Sequence, residues 1–130
     1  MNQLNKAGRR LRVLIVDDDH DTLTAMTKLL QASGYDADGA ASYADAMKLA
    51  TDTALPFDLV VCDLGLPDGN GHDLFRDMRT RQSITGIAVS GFDSPEHVDA
   101  SIAAGFREHL VKPVSIDLVL AAIQRCRSSV

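Results

Sequence analysis

Asp63 closes an apolar run, Leu59-Val60-Val61-Cys62, and is followed by the turn-forming residues Gly65, Pro67, Asp68, Gly69, Asn70 and Gly71. A short apolar run bounded in this way reads as a strand buried on both faces. The carboxylate therefore emerges where a core strand ends, a place where charge is costly unless a partner meets it. Polar residues close the other apolar runs too: Asp17 and Asp18 after residues 11–16, Ser90 after 86–89, and Lys112 after 106–111. Three crowded carboxylates repel one another and resist joint ionisation, so a site built from them needs cations. Lys112 brings one. A hard divalent ion, held through one or two carboxylates with substrate phosphate completing its shell, supplies the rest, and Mg²⁺ suits such a site. Carboxylate, metal, ammonium and hydroxyl together suit phosphoryl transfer. An Asp carboxylate can act as nucleophile and carry the phosphoryl group, the cations offset charge on its oxygens, and the Ser90 hydroxyl with nearby backbone N–H groups holds the product.

The elements that position these residues follow from periodicity. Residues 11–16, 59–63, 86–89 and 106–111 read as buried strands, and residues 35–40 as a weaker, partly polar strand suited to a sheet edge. Between them the period changes to helical, with Leu23, Met26 and Leu30; Tyr43, Ala46, Met47 and Ala50; Leu74, Phe75 and Met78; Val98 and Ile102; and Ile116, Val119, Leu120 and Ile123 each sharing a face. Asp19, Ser42, Ser94 and Ser115 stand at N-cap positions, Pro95 opens its helix, and Gly34 and Gly105 mark stops. Asp68 and Asn70 read as turn formers, and His20, His72 and His97 as surface histidines. Five strands alternating with five helices predict a doubly wound α/β fold with a parallel sheet and right-handed crossovers. Every strand then delivers its C-terminal residue to one rim, where open sheets of this kind bind ligands.

Composition bounds the alternatives. A chain of 130 residues with 45% hydrophobic and 24% charged residues forms one globular domain, over residues 11–127. Residues 1–10 read as a flexible polar arm rather than a signal peptide, and 128–130 as a tail. No apolar run reaches a membrane span, so a soluble, cytoplasmic protein is expected. A net charge of −5 and a pI near 5.2 argue against direct nucleic-acid binding. Arg9, Arg10 and Arg12 read as a solvated basic cluster. Cys62 and Cys126 have neither disulfide nor zinc-ligand spacing and read as structural.

The ordered motifs Val16-Asp17-Asp18, Asp63 with Pro67 and Gly71, Ser90-Gly91 and Lys112-Pro113 resemble the signature of response-regulator receiver domains of two-component signalling, over about residues 11–125. The resemblance implies a flavodoxin-like (βα)5 fold with strand order 2-1-3-4-5. It implies that Asp63 accepts a phosphoryl group from a phosphohistidine, that Asp18, Asp63 and the backbone carbonyl of Gly65 bind Mg²⁺, and that Asp17 supports the metal through water. It further implies that Ser90 swings toward the phosphoryl group, that Lys112 pairs with that group, that the Lys112–Pro113 bond is cis, and that the signal reaches a face made by the fourth helix, fifth strand and fifth helix. The implied partners are a histidine kinase or histidine phosphotransfer protein and a downstream protein. A monomer or weak dimer follows, catalysing only its own phosphorylation and dephosphorylation.

Three positions depart from the family's pattern. His109 stands where a switch aromatic is usual, so signalling by burial of a Phe or Tyr ring is replaced by something else, and ionisation of His109 would make output pH sensitive. Gly65 and Phe92 take two positions that often tune hydrolysis, and neither side chain can orient an attacking water. This predicts a long-lived phosphoryl group, or its return to a histidine partner; Phe92 would otherwise simply shield the pocket.

Other functions fit less well. A haloacid dehalogenase-like phosphatase carries a second Asp two residues after its nucleophile, where Gly65 stands here, and has a cap domain. A flavodoxin-like cofactor protein would end its first strand in a phosphate loop rather than acids. A receiver working by contact alone would not need the full acidic set. With only one helix after Pro113, output is expected through protein contacts or phosphorelay, or the chain is a receiver from a longer protein; its last strand and Lys112-Pro113-Val114 resemble receivers at the C-terminus of hybrid histidine kinases.

Overall fold

The computed structural model describes residues 4–52, 56–91 and 94–127. The chain runs β1 (Arg12–Val16), α1 (His20–Ala32), β2 (Asp36–Ala40), α2 (Tyr43–Asp52), β3 (Leu59–Asp63), β4 (Gly65–Leu66), β5 (Gly69–Asn70), α3 (Gly71–Arg79), β6 (Thr85–Ser90), α4 (Pro95–Ala103), β7 (Glu108–Val111) and α5 (Ile116–Cys126). The long strands form one parallel sheet in the order β2-β1-β3-β6-β7. This is the expected second-first-third-fourth-fifth order. The two-residue strands β4 and β5 form an antiparallel hairpin where the Gly, Pro and Asn residues predict only a turn.

Strand side chains alternate between faces, and the core divides accordingly. Val13, Ile15, Leu59, Val61, Ile87 and Val89 pack with Leu23 and Leu30 of α1 and Val119 and Ile123 of α5. Leu14, Val16, Val60, Cys62 and Ala88 pack with Ala46 of α2 and Leu74, Phe75 and Met78 of α3. All five residues of β3 are buried, as a central parallel strand requires. Both cysteines are free and buried.

Most helix starts are capped as expected. Asp19 accepts the Thr22 N–H, Ser42 the Asp45 N–H, and Ser115 the Leu118 N–H. Ser94 is at the N-cap of α4, but its hydroxyl turns to His97 Nδ1 and makes no cap bond. Asn70 is more than a turn former, since it caps α3 through the Asp73 N–H.

Two readings of the N-terminal region change. Part of the expected loose arm is ordered: Leu4 pairs with Arg10 in an antiparallel bridge, and Asn5 Nδ2 donates to the Asp58 carboxylate at 3.2 Å, which also accepts the Arg12 N–H at 2.8 Å. Arg12 itself is not solvated. Its side chain is 11% exposed, pairs with Asp36 at 3.2 Å and Asp38 at 3.5 Å, and lies over the Phe57 ring at 4.4 Å. The parallel register sets Arg12 opposite Asp36, so an apparent surface charge becomes a clamp on the edge strand β2.

Candidate functional site

Asp63 continues the β3 row of Leu59 and Val61 and is 5% exposed. Both of its oxygens have partners. Oδ1 accepts the Gly65 N–H at 3.0 Å, and Oδ2 accepts from Lys112 Nζ at 2.7 Å. Lys112 follows β7 directly, and its N–H donates to the Ser90 carbonyl at 2.8 Å. This bond continues the β6–β7 ladder, in which Ser90 pairs with Val111. The buried Ser90 is thus set two strands away from β1, on the same rim. The Lys112–Pro113 bond is cis.

Asp17 and Asp18 reach this rim from β1. Asp17 is buried and accepts the Asp19 N–H at 2.9 Å. Each of Asp17, Asp18 and Asp63 has a carboxylate oxygen within 4.8 Å of those of the other two. Burial pushes the Asp17 carboxyl above its ordinary value, and the charges of Asp63 and Asp18 push the same way against the Asp19 bond and Lys112. Burial acts oppositely on the Lys112 ammonium. Its bond to Asp63 and the charges of Asp63, Asp17 and Asp18 outweigh that, and hold it above its ordinary value. Three carboxylates and one ammonium leave the rim short of positive charge. An all-oxygen donor set of this kind fits a hard divalent cation. Beside it a cleft of about 540 Å³ runs between α1 and α5, lined by Met26, Val114 and Val119 among others.

The turn after Asp63 is held by close backbone approach. A Cβ on Gly71 would lie 2.8 Å from the Asp63 carbonyl oxygen and 2.9 Å from Leu64 Cα. Gly65 has open space instead, its nearest neighbour being Asp63 Oδ1 at 3.9 Å from such a Cβ.

The structure therefore brings Asp17, Asp18, Asp63 and Lys112 together, with Ser90 on the adjoining strand end. His109 is elsewhere: from β7 its half-buried ring meets Ser101 Oγ of α4 through Nδ1 at 2.9 Å. Phe92 lies outside the described residues, as do residues 1–3 and 128–130. His20 and His97 are exposed, but His72 is half-buried, with Nε2 3.4 Å from Ser101 Oγ and its ring 6.0 Å from that of Phe106. The reading of all three as surface residues thus fails for His72, because α3 turns it toward α4. Two roles are not legible in the sequence: that of Ser101, which is fully buried, and that of Asp68, which reads as a turn former but whose carboxylate meets the start of α2.

An open parallel sheet with acids, an ammonium and a hydroxyl gathered on its C-terminal rim defines a class of α/β signalling domains. The response regulator receiver domain family model matches residues 13–124, and the chain belongs to that family. Among its relatives, the two-component response regulator ORR41 of Oryza sativa subsp. japonica is 37% identical over 112 residues, covering 84% of this chain and 88% of the relative. The two-component response regulator ARR10 of Arabidopsis thaliana is 31% identical over 107 residues, 82% of this chain. The chain spans only 19% of ARR10 and 48% of the transcriptional regulatory protein PrrA of Mycobacterium leprae. Among solved structures, a CheY-like receiver domain protein from Methanospirillum hungatei JF-1 has a TM-score of 0.79 at 30% identity, covering 91% of this chain and 94% of that one. A response regulator from Burkholderia pseudomallei, described with a phosphorylated aspartic acid, a calcium ion and citrate, has a TM-score of 0.79 at 25% identity, covering 91% and 69%. Receiver domains of this family accept a phosphoryl group in two-component systems, take a divalent metal at an acidic pocket and pair with histidine kinases. Among the described residues no helix is long and apolar enough to cross a membrane.

Proposed function

We propose that Asp63 is the phosphoacceptor of this receiver and that Mg²⁺ is its metal, held by Asp18, Asp63 and the Gly65 carbonyl, with Asp17 acting through water. The observation that carries the reading is the 2.7 Å bond of Lys112 to a buried Asp63 beside two further carboxylates. Bound Mg²⁺ would supply charge neutralisation on the carboxylates and the incoming phosphoryl oxygens. The protein's own groups do the rest. Lys112 and the Gly65 N–H fix the carboxylate in one orientation. One carboxylate oxygen attacks phosphorus, so the new O–P bond forms as the P–N bond to the donor imidazole breaks and the ring nitrogen leaves with the bonding pair. Lys112 Nζ would follow a phosphoryl oxygen, and Ser90 would donate to another.

On this reading the chain turns over no separate substrate, and its donor is a histidine kinase or phosphotransfer protein in the cytoplasm. Output leaves through α4, β7 and α5, which expose Ile102, Val111 and Leu118. Gly65 offers no side chain to orient water, which supports a long-lived phosphoryl group. The test is intact mass after incubation with Mg²⁺ and a small acyl phosphate, on the wild type and Asp63→Asn. One added phosphoryl group, lost without Mg²⁺ and lost in the variant, is expected. An unchanged mass in the wild type would turn the assignment toward a receiver acting by contact alone.

A further inference from the structure

Ser101 is the one residue of α4 that is wholly buried, and its side chain is polar. Three contacts converge on its hydroxyl: the His97 carbonyl of the same helix at 3.2 Å, His109 Nδ1 of β7 at 2.9 Å, and His72 Nε2 of α3 at 3.4 Å. A hydroxyl has one proton to give and two lone pairs to offer. Here the proton goes to the carbonyl four residues back, a common arrangement for a serine inside a helix. Both histidines must then donate, His109 from Nδ1–H and His72 from Nε2–H. One buried atom thereby ties three elements together and selects a tautomer at each ring.

His109 lies on β7, three residues before Lys112, and Ser101 is next to Ile102, which is half exposed on the outer side of α4. A receiver whose signal moved a Phe or Tyr ring would rely on packing. Here a directed bond is in that place. Removing a bonded partner from a fully buried hydroxyl is costly, so the contact has discrete made and broken states. Protonation does not break it, because an imidazolium also donates from Nδ1.

We propose that Ser101 is a positioning residue that holds His109, with His72, against α4, and that phosphorylation at Asp63 reaches the outer face of α4 by breaking the Ser101–His109 bond. The dynamic half rests on Asp63 being the phosphoacceptor. The static half, the bond and its tautomers, does not.

The test follows the histidine ring nitrogens by ¹⁵N NMR in the wild type, Ser101→Ala and Ser101→Thr. In unmodified wild type, His109 is expected as the Nδ1–H tautomer and His72 as Nε2–H. Ser101→Ala should shift His109 away from Nδ1–H, and Ser101→Thr, which keeps the hydroxyl, should restore it. A His109 ring indifferent to Ser101→Ala, or found as Nε2–H in the wild type, overturns the proposal. The spectra are then repeated with Mg²⁺ and acyl phosphate, with intact mass reporting occupancy. At equal occupancy, the wild type should show a change at His109 and at the Ile102 methyls, and Ser101→Ala should lose the Ile102 change. Full phosphorylation with no change at His109 overturns the relay. Absence of phosphorylation would count against the phosphoacceptor reading, and the tautomer comparison would still decide whether the bond exists.

Discussion

The Asp68 carboxylate accepts the Tyr43 N–H at 2.7 Å and the Ala44 N–H at 3.1 Å, so a residue of the β4–β5 hairpin caps a helix that begins 25 residues earlier in the chain. The hairpin follows directly from Asp63. Tyr43 closes the same junction, with its ring against Gly69 and its hydroxyl bonded to Asp77 of α3. The backbone N–H groups of Tyr43 and Ala44 hold the Asp68 carboxyl below its ordinary value of 3.8.

Asp68→Asn should therefore lower Tm by a few degrees near neutral pH, as for loss of other helix caps. A carboxyl depressed in the folded state stabilises the fold above its unfolded value and stops doing so as pH falls through the folded one. The Tm gap between the variant and the wild type should close well below pH 3.8. A gap that persists in acid would mean that the Asp68 carboxyl stabilises the fold by something other than its charge.

Tyr43 gives an alkaline counterpart. Burial, then the Asp77 bond and charge, push its phenol up to about 12 from 10.0. The neutral form is the one the fold favours, so the fold loses stability as pH rises from 10 toward 12. Difference absorbance of the wild type against Tyr43→Phe should show this phenol ionising later than Tyr in an unfolded chain.

Asp17→Asn should separate fold stability from metal binding. Because burial raises the Asp17 carboxyl, the charged form is disfavoured in the fold, and stability is lost as pH climbs past 3.8. In chelator above that pH the variant should melt a few degrees higher than the wild type. With excess Mg²⁺ the order should reverse, since only the wild type keeps its full acidic set. Calorimetry with and without chelator reads both.

Lys112→Met removes the ammonium that meets Asp63. With a unit charge gone from the rim, divalent affinity should rise by about tenfold after screening by solvent, while phosphorylation by an acyl phosphate slows sharply. Metal titration and timed mass spectra should move in opposite directions. If both fall, Lys112 supports the fold of the rim rather than its charge balance.

Gly71→Ala places a methyl group 2.8 Å from the Asp63 carbonyl oxygen. Backbone cannot yield as a flexible side chain can, and the expected cost is about 1–3 kcal/mol. Gly65→Ala meets nothing closer than 3.9 Å and should be close to neutral by denaturant titration.

How much of this was legible in advance depended on the range of each interaction. Strand ends, helix faces and the caps at Asp19, Ser42 and Ser115 are local, and periodicity with turn chemistry exposes them. Parallel connectivity then carries Asp17, Asp18, Asp63, Ser90 and Lys112 to one rim without knowledge of any contact. Ser94 and Asn70 depart from their readings within one turn of chain; the other misreadings are non-local. Arg12 reads as solvated until β2 brings Asp36 and Asp38 beside it. Asp68 has turn-forming character in any sequence, and nothing nearby names Tyr43 as its partner. Ser101 is a small polar residue in a helix with little amphipathic contrast, and only the packing of α3, α4 and β7 buries it.

The Ser90 carbonyl and the Lys112 N–H share a backbone bond of 2.8 Å. The hydroxyl and the ammonium are thus carried by two ends of one rung. Neither strand end can shift by much without dragging the other, so the rung fixes the spacing of two side chains that would meet one phosphoryl group. In a double-mutant cycle on phosphorylation, Ser90→Ala and Lys112→Met should be non-additive, whereas Ser90→Ala combined with a change at the far end of the sheet, such as Asp36→Asn, should add.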